Sequence, residues 1–229
     1  MPARPPVRPL LTALADALFP QQCLACGRFG AALHPPCVAA FPPAEPPRCL
    51  RCWTPGAAAI CHRCAEAPPA FEALRARFRF EGDVRRALLE AKFRGKTALL
   101  PPLASSAFEA VPPDWRVDAV VPIPLHRRRQ RQRGYNQAAV LAQTVARLID
   151  APLAPDLLRR PRHTPPQAGL PAAERVTNLR DAFEARPLNS EVLLIDDVTT
   201  TGATFEAAAR TLLNAGANRV FALAIARED

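Results

Sequence analysis

"VLLIDDVTTTGAT" (Val192–Thr204) decides how this chain is read. Four apolar residues run into two adjacent aspartates; three threonines, a glycine, an alanine and a fourth threonine follow. A continuous apolar run predicts a strand buried on both faces, as in a parallel sheet covered by helices. The strand is read over Glu191–Asp197, with a helix from about Thr204 to Asn214. A strand that turns through threonines into a helix presents main-chain N–H groups at the positive end of the helix dipole, a natural seat for phosphate. Thr199, Thr200, Thr201 and Thr204 add hydroxyl donors, and Gly202 lets the backbone approach closely. Asp196 and Asp197 would repel a phosphate, but they suit neighbouring sugar hydroxyls or a divalent cation. One ligand meets both needs: a ribose whose 5′-phosphate lies in the turn and whose diol meets the carboxylates. The plainer alternative is a pair of helix N-caps.

Working outward, apolar runs alternate with helical patterns. "FEALRARFRF" (Phe71–Phe80) reads as a strand. A helix follows, capped by Asp83, apolar at Val84, Ala87, Leu88 and Ala91, and ended by Gly95. "FRGKT" resembles the tail of a nucleotide P-loop, but Glu90 stands where that motif needs its first glycine. Val117–Pro124 predicts a short strand, the stretch "LHRRRQRQRGYNQ" a loop, Gln137–Ile149 a helix and Asn218–Ala226 a last strand. This alternation indicates an α/β domain with a mostly parallel sheet flanked by helices. Ligands then bind at the carboxyl ends of the strands, where loops begin near Pro122, Arg159 and Asp196.

All seven cysteines lie between residues 23 and 64. Cys49, Cys52, Cys61 and Cys64 form a CxxC-x8-CxxC cluster, the spacing of a zinc knuckle pair. Cys23 and Cys26 lack a second CxxC, but "HPPC" supplies His34 and Cys37 at the matching distance, a Cys3His set. Both sites look closed, so two structural zinc ions are expected; a redox role finds no thioredoxin-like βαβ context. His62, inside a knuckle, reads as a solvent-facing bystander.

The 229-residue chain carries a net charge of +9, with arginine far outnumbering lysine, which favours an anionic partner. Five arginines fall between Arg127 and Arg133. No segment reaches the ~18 apolar residues of a membrane-spanning helix. Residues 9–19 read as a short amphipathic helix rather than a signal peptide, so the cytoplasm is the expected location. The expected division is residues 1–20 for that helix segment, 21–67 for the metal module and 68–229 for the α/β domain.

The aspartate–threonine stretch closely resembles the phosphoribosyl pyrophosphate (PRPP) loop of type I phosphoribosyltransferases. With "AKFRG" (Ala91–Gly95), "VVPIPLHRRRQRQRGYNQA" (Val120–Ala138), "RHTPPQAGLPAAERVTNLRDAF" (Arg162–Phe183) and the amino-terminal cysteines, the chain resembles the ComF/ComFC family over about residues 20–227. That family is competence-associated: a phosphoribosyltransferase-like domain preceded by a double zinc ribbon. His34 stands where the family usually has cysteine. The resemblance implies that Asp196 and Asp197 hold the ribose 2′- and 3′-hydroxyls. Val198, Thr199, Thr200, Thr201, Gly202, Ala203 and Thr204 would cradle the 5′-phosphate. Pro122, Ile123, Pro124 and Leu125 would form the pyrophosphate loop, with magnesium bridging pyrophosphate and sugar. Arg133 and Arg175 are candidates for neutralising pyrophosphate.

Two classes of function follow. One is an enzyme that transfers phosphoribose from PRPP to a base or amine in nucleotide metabolism, with Asp196, Asp197, Arg133 and Arg175 as its machinery. The other is a binding module that takes PRPP or a nucleotide and handles single-stranded DNA during transformation, beside other competence proteins. Arg127, Arg128, Arg129, Arg131 and Arg133 would track the strand's phosphates in the second case.

Overall fold

A computed structural model describes residues 21–56, 59–161 and 182–229. Its centre is a four-stranded sheet: β1 (Ala73–Arg79), β2 (Ala119–Pro122), β5 (Glu191–Thr199) and β6 (Arg219–Arg227), in the order β1-β6-β5-β2. All three pairings are parallel. A separate antiparallel ribbon pairs β3 (Leu158–Arg159) with β4 (Glu184–Ala185).

Crossover helices cover both faces, because parallel neighbours cannot be joined by tight turns. Helices α3 (Gly82–Arg94), α4 (Leu100–Phe108) and α6 (Gln137–Leu148) share one core with Leu193, Ile195, Phe221 and Leu223 of the sheet. Helix α7 (Ala203–Asn214) buries Phe205, Ala208, Ala209 and Leu212 against the opposite face, which carries Val192, Leu194, Val220 and Ala222. Each strand thus sends alternate side chains into a different core, and the unbroken apolar run of β5 is explained. The helix expected after Phe80 buries the four residues assigned to its apolar face and ends at Gly95, whose φ of 68° is the left-handed C-cap that glycine tolerates best.

Four local readings differ from the structure. Asp83 does not cap α3: Glu81 is the N-cap, with no side-chain cap bond, and Asp83 lies in the first turn. The strand in "EVLLIDDVT" does not stop at the aspartates; it continues to Thr199, because Val198 and Thr199 keep their pairing with Ala226 and Arg227. The arginine stretch is not an open loop: Arg127–Arg133 form a seven-residue helix of about two turns, α5. Straight-chain arginines and glutamines have good helix propensity, the His126 side chain accepts the Arg128 N–H at the start, and Gly134 (φ 81°) stops it. Arg159 lies in the small ribbon, not at the end of a main-sheet strand. The amphipathic segment at 9–19, Arg175 and most of the loop around it lie outside the described residues.

The cysteine-bearing segment folds as two similar halves. Each starts with a knuckle: the Cys23 N–H donates to Arg28 O, and the Cys49 N–H to Thr54 O. Each ends in a short helix that sets the last two donors, α1 (Pro35–Ala39) after His34 and α2 (His62–Glu66) after Cys61. The residue four past the first cysteine needs a positive φ in both; it is Gly27 (71°) in one and Trp53 (62°) in the other. A bulky residue there is strained. Trp53 is held by its indole N–H to Ala76 O at 2.9 Å and by the Arg75 guanidinium 4.5 Å from its ring centre.

These halves are built onto the sheet's outer strand. The Leu74 N–H donates to Arg51 O, Ala44 N–H to Arg77 O and Arg79 N–H to Pro42 O, so the free edge of β1 is hydrogen-bonded along its length. The other outer strand, β2, is covered by residues 152–154 through Val120. Open edges invite pairing with other chains, and both are closed here. Phe41 meets Phe78 edge-to-face at 5.9 Å, and Cys23, Leu33 and Val38 enter the same core as α3 and α4. Below the second cluster, Arg48 donates to both Asp229 oxygens (2.8 and 2.6 Å), and Arg227 donates to Cys52 O and Thr54 Oγ1.

Candidate functional site

The carboxyl ends of β2 and β5 lie side by side, with Pro122 opposite Ile195 and the Ile123 N–H bonded to Ile195 O. Asp196 and Asp197 sit at this end of β5. Each carboxylate accepts the next main-chain N–H at 2.8 Å: Asp197 N–H to Asp196 Oδ1, and Val198 N–H to Asp197 Oδ1. These bonds fix the side chains while leaving further lone pairs for a ligand. Desolvation, then repulsion from Asp197, pushes the Asp196 carboxyl well above the usual carboxylate range, although the Asp197 N–H and Lys92 pull it back.

The turn after them is short. Thr199 is 5% exposed and belongs to the strand, so Thr200–Gly202 make the turn proper. Gly202, at φ 81°, is the N-cap of α7 and offers no side-chain acceptor to that helix start. The Ala203 N–H at the first helical position donates to Thr201 Oγ1 at 3.3 Å, and the positive end of this 12-residue helix is where an anion would sit. Phe71 lies beneath Gly202.

The second wall comes from the turn after β2. Asn136 makes it rigid: its Nδ2 donates to Ile123 O at 2.9 Å and its Oδ1 caps α6 at the Ala138 N–H. Tyr135 donates its hydroxyl to Ala91 O, tying the same turn to the end of α3. The "RGYNQ" and "AKFRG" stretches therefore meet in space. Helix α5 splits the five arginines: Arg127, Arg128 and Arg131 are exposed, whereas Arg129 and Arg133 are half-buried. Arg133 donates to Gln137. Burial, then Arg133, lowers the pKa of Arg129. Arg160 is lowered by burial and then by Arg129, with Asp196 acting the other way. Lys92 and Arg160 are thus linked electrostatically to Asp196, and sequence reasoning missed both. "AKFRG" was the available signal for Lys92; nothing local marks Arg160.

Both metal clusters fit zinc. In each, one donor atom from every residue lies within 4.8 Å of all the others: Cys23, Cys26, His34 and Cys37, then Cys49, Cys52, Cys61 and Cys64. Cys26 Sγ is 3.3 Å from His34 Nδ1, and Cys52 Sγ is 3.6 Å from Cys61 Sγ. A tetrahedral ion with ~2.3 Å Zn–S and ~2.0 Å Zn–N bonds needs donor separations near these. His34 Nε2 faces Phe29 O at 3.3 Å, the second hydrogen bond that orients a ligating imidazole. Burial opposes ionisation of Cys23, yet the Cys26 and His34 N–H groups bring its thiol down to about 6. For Cys52, burial is overcome by the Thr54 hydroxyl and N–H, giving about 6. Cys26 and Cys49 are also held below the ordinary thiol range, so each site contains two thiols shifted toward the ligating form. His62 pairs with Glu66, at the surface.

No family model matches the chain. Among curated proteins it is 37% identical over 115 residues to Competence protein F of Haemophilus influenzae, spanning 48% of this chain and half (50%) of that protein. It is 30% identical over 168 residues to DNA utilization protein YhgH of Salmonella typhi, spanning 70% of this chain and 74% of the relative. The chain belongs to the ComF family. Competence protein ComFC of Bacillus subtilis is 33% identical over 145 residues, 61% of this chain and 57% of that protein. Similar solved structures include a Bacillus subtilis glutamine PRPP amidotransferase complexed with ADP and GMP: TM-score 0.37, 19% identity, 52% of this chain and 24% of that one. Leishmania donovani UMP synthase gives 0.36 and 18%, over 62% and 31%. For this ComF-family chain, no described helix is long and apolar enough to cross a membrane.

Proposed function

We propose that this ComF-family chain binds PRPP with magnesium and handles single-stranded DNA in DNA uptake, acting in the cytoplasm. One observation carries the ligand reading. Two carboxylates stand near the end of β5, five and six residues before the glycine at a helix start, with the stiffened β2 turn beside them. Sugar hydroxyls suit the carboxylates, an anion suits the helix start, and Pro122–Leu125 leave the strand paired with β5. Magnesium would supply charge to a pyrophosphate that Asp196 and Asp197 cannot approach alone. The names of the relatives, competence and DNA utilization, support a role with DNA. In this reading residues 21–67 are structural, and residues 68–229 hold the ligand.

Titration calorimetry of PRPP with Mg²⁺ tests the ligand. Charge-assisted hydrogen bonds are worth about 1.5–3 kcal/mol each, so losing both carboxylates in Asp196→Asn/Asp197→Asn should weaken binding roughly a hundredfold or more. Unchanged affinity would refute the ribose assignment. The second reading, phosphoribosyl transfer, draws support from Lys92, Arg129, Arg133 and Arg160, cations gathered where a departing pyrophosphate would need charge. Pyrophosphate release from PRPP with a panel of bases and amines distinguishes the two. Turnover selects the transferase, and tight binding without release selects the sensor. Single-stranded DNA binding should weaken with salt, and further when Arg127, Arg128, Arg129, Arg131 and Arg133 are all alanine.

A further inference from the structure

A cleft of about 350 Å³ opens between the end of α3 and helix α5, lined by Lys92, Phe93, Gly95, Arg129, Gln132 and Arg133. Three of its six lining residues are cations and none is acidic. Its volume lies at the lower end of the ~300–1,000 Å³ range of small-molecule sites, a size suited to one nucleotide unit rather than a folded partner.

Phe93 is its unusual member. It is 71% exposed, more than any other large hydrophobic residue described. On α3 the apolar face is Val84, Ala87, Leu88 and Ala91, so Phe93 lies off the packing stripe and contributes little to the core. Lys92 Nζ lies 5.9 Å from its ring centre. The chain contains only two lysines, Lys92 and Lys96, and both border Gly95 at this helix end. An exposed aromatic face beside phosphate-seeking cations is the pairing by which proteins hold unpaired bases: the ring stacks, and the charges follow the backbone. The Tyr135–Ala91 bond ties this helix end to the β2 turn, and Lys92 acts electrostatically on Asp196.

We infer that the α3–α5 cleft is a nucleobase site, in which Phe93 stacks on the base while Lys92, Arg129 and Arg133 take the attached phosphate. This deepens the nucleic-acid reading above and depends on it. It divides the arginines of α5 into two groups: Arg129 and Arg133 belong to the cleft, whereas Arg127, Arg128 and Arg131 point outward along the strand's path.

The test uses the full zinc-loaded chain. Fluorescence anisotropy with labelled oligo(dT) compares the parent, Phe93→Ala and Phe93→Trp, and dTMP serves as the mononucleotide probe. Base–aromatic stacking is worth about 1–3 kcal/mol by alanine substitution, so Phe93→Ala should weaken oligonucleotide binding roughly tenfold or more. The salt slope should stay unchanged, since no phosphate contact is removed. Phe93→Trp should retain affinity and show ligand-dependent quenching that the parent lacks. Amine-selective labelling of Lys92 should be slowed by the same ligand, with Lys96 as internal reference. A Phe93-dependent loss with dTMP as well identifies a free-nucleotide site; a loss confined to oligo(dT) identifies the strand as its source. If the parent binds oligo(dT) and Phe93→Ala binds oligo(dT) and dTMP equally well, the cleft assignment is overturned while the DNA reading stands. If the parent binds neither, both fall.

Discussion

Arg48→Met removes the clamp beneath the second metal cluster. Arg48 has a side chain only 4% exposed, and its carboxylate partner Asp229 is 24% exposed. The guanidinium makes four hydrogen bonds: to Glu45 O and Trp53 O, both at 3.1 Å, and to the two Asp229 oxygens. Methionine keeps the apolar stem and loses every donor. Two main-chain acceptors lose a partner, about 0.5–1 kcal/mol each at this partial burial. Asp229 loses a bidentate ion pair. Stranding one member of a fully buried pair costs about 3–5 kcal/mol, which we reduce to about 2 because water reaches Asp229 and Arg227 Nε remains 3.3 Å away. The sum is about 3 kcal/mol. For a chain of this size that lowers Tm by about 6–12 °C. Calorimetry or thermal circular dichroism at pH 7, with zinc content checked, reads this directly. The double variant with Asp229→Asn should be less destabilised than the two single changes added together, by about 1–2 kcal/mol. A Tm within 2 °C of the parent, or strict additivity, would show that the clamp does not couple the cysteine segment to the sheet. The pH dependence has a definite sign. Hydrogen bonding to Arg48 holds the Asp229 carboxyl below its ordinary 3.8. The clamp's electrostatic contribution is thus fully present above about pH 4 and fades as pH falls through the lower folded value.

Asp196→Asn should melt higher than the parent at neutral pH. Burial and Asp197 raise the Asp196 pKa, so the ionised carboxyl costs stability above about pH 4; the difference should vanish below 3.8. Metal analysis of the full chain should return two zinc ions, with His34→Ala reduced toward one and His34→Cys retaining two. Gly216→Ala should be severe, losing about 3 kcal/mol or more in a denaturant melt. A Cβ there would lie 2.3 Å from Leu188 O, at a φ of 106°.

The parallel core was readable because its signals are local and periodic: an unbroken apolar β5, a three-to-four spacing on α3, and glycines where helices stop. The metal donors were readable for a similar reason, since spacing alone fixes which thiols can meet. Contacts between distant segments were not readable. Nothing near Arg48 announces Asp229, and nothing near Lys92 announces its electrostatic pull on Asp196, about a hundred residues further along the chain. The arginine stretch was misread because charge density suggests an exposed loop, while helix propensity and a glycine stop act more quietly. The end of β5 was misplaced because polar residues usually leave a strand; here the neighbouring β6 keeps them paired.

The way the cysteine segment meets β1 sets a limit on how this protein can be taken apart. Its main-chain groups complete the sheet, much as a fourth wall completes a room, and its side chains share the core of α3 and α4. A fragment starting after Ala67 would bare a seven-residue strand with apolar neighbours, a surface on which other copies could assemble. Chelation threatens the same seam from the other side, because the knuckles that present Pro42–Arg51 to β1 depend on their metal. Zinc supply would then govern whether the α/β domain stays soluble, and Cys64 of the second cluster lines the same cavity as Thr201, Gly202 and Ala203.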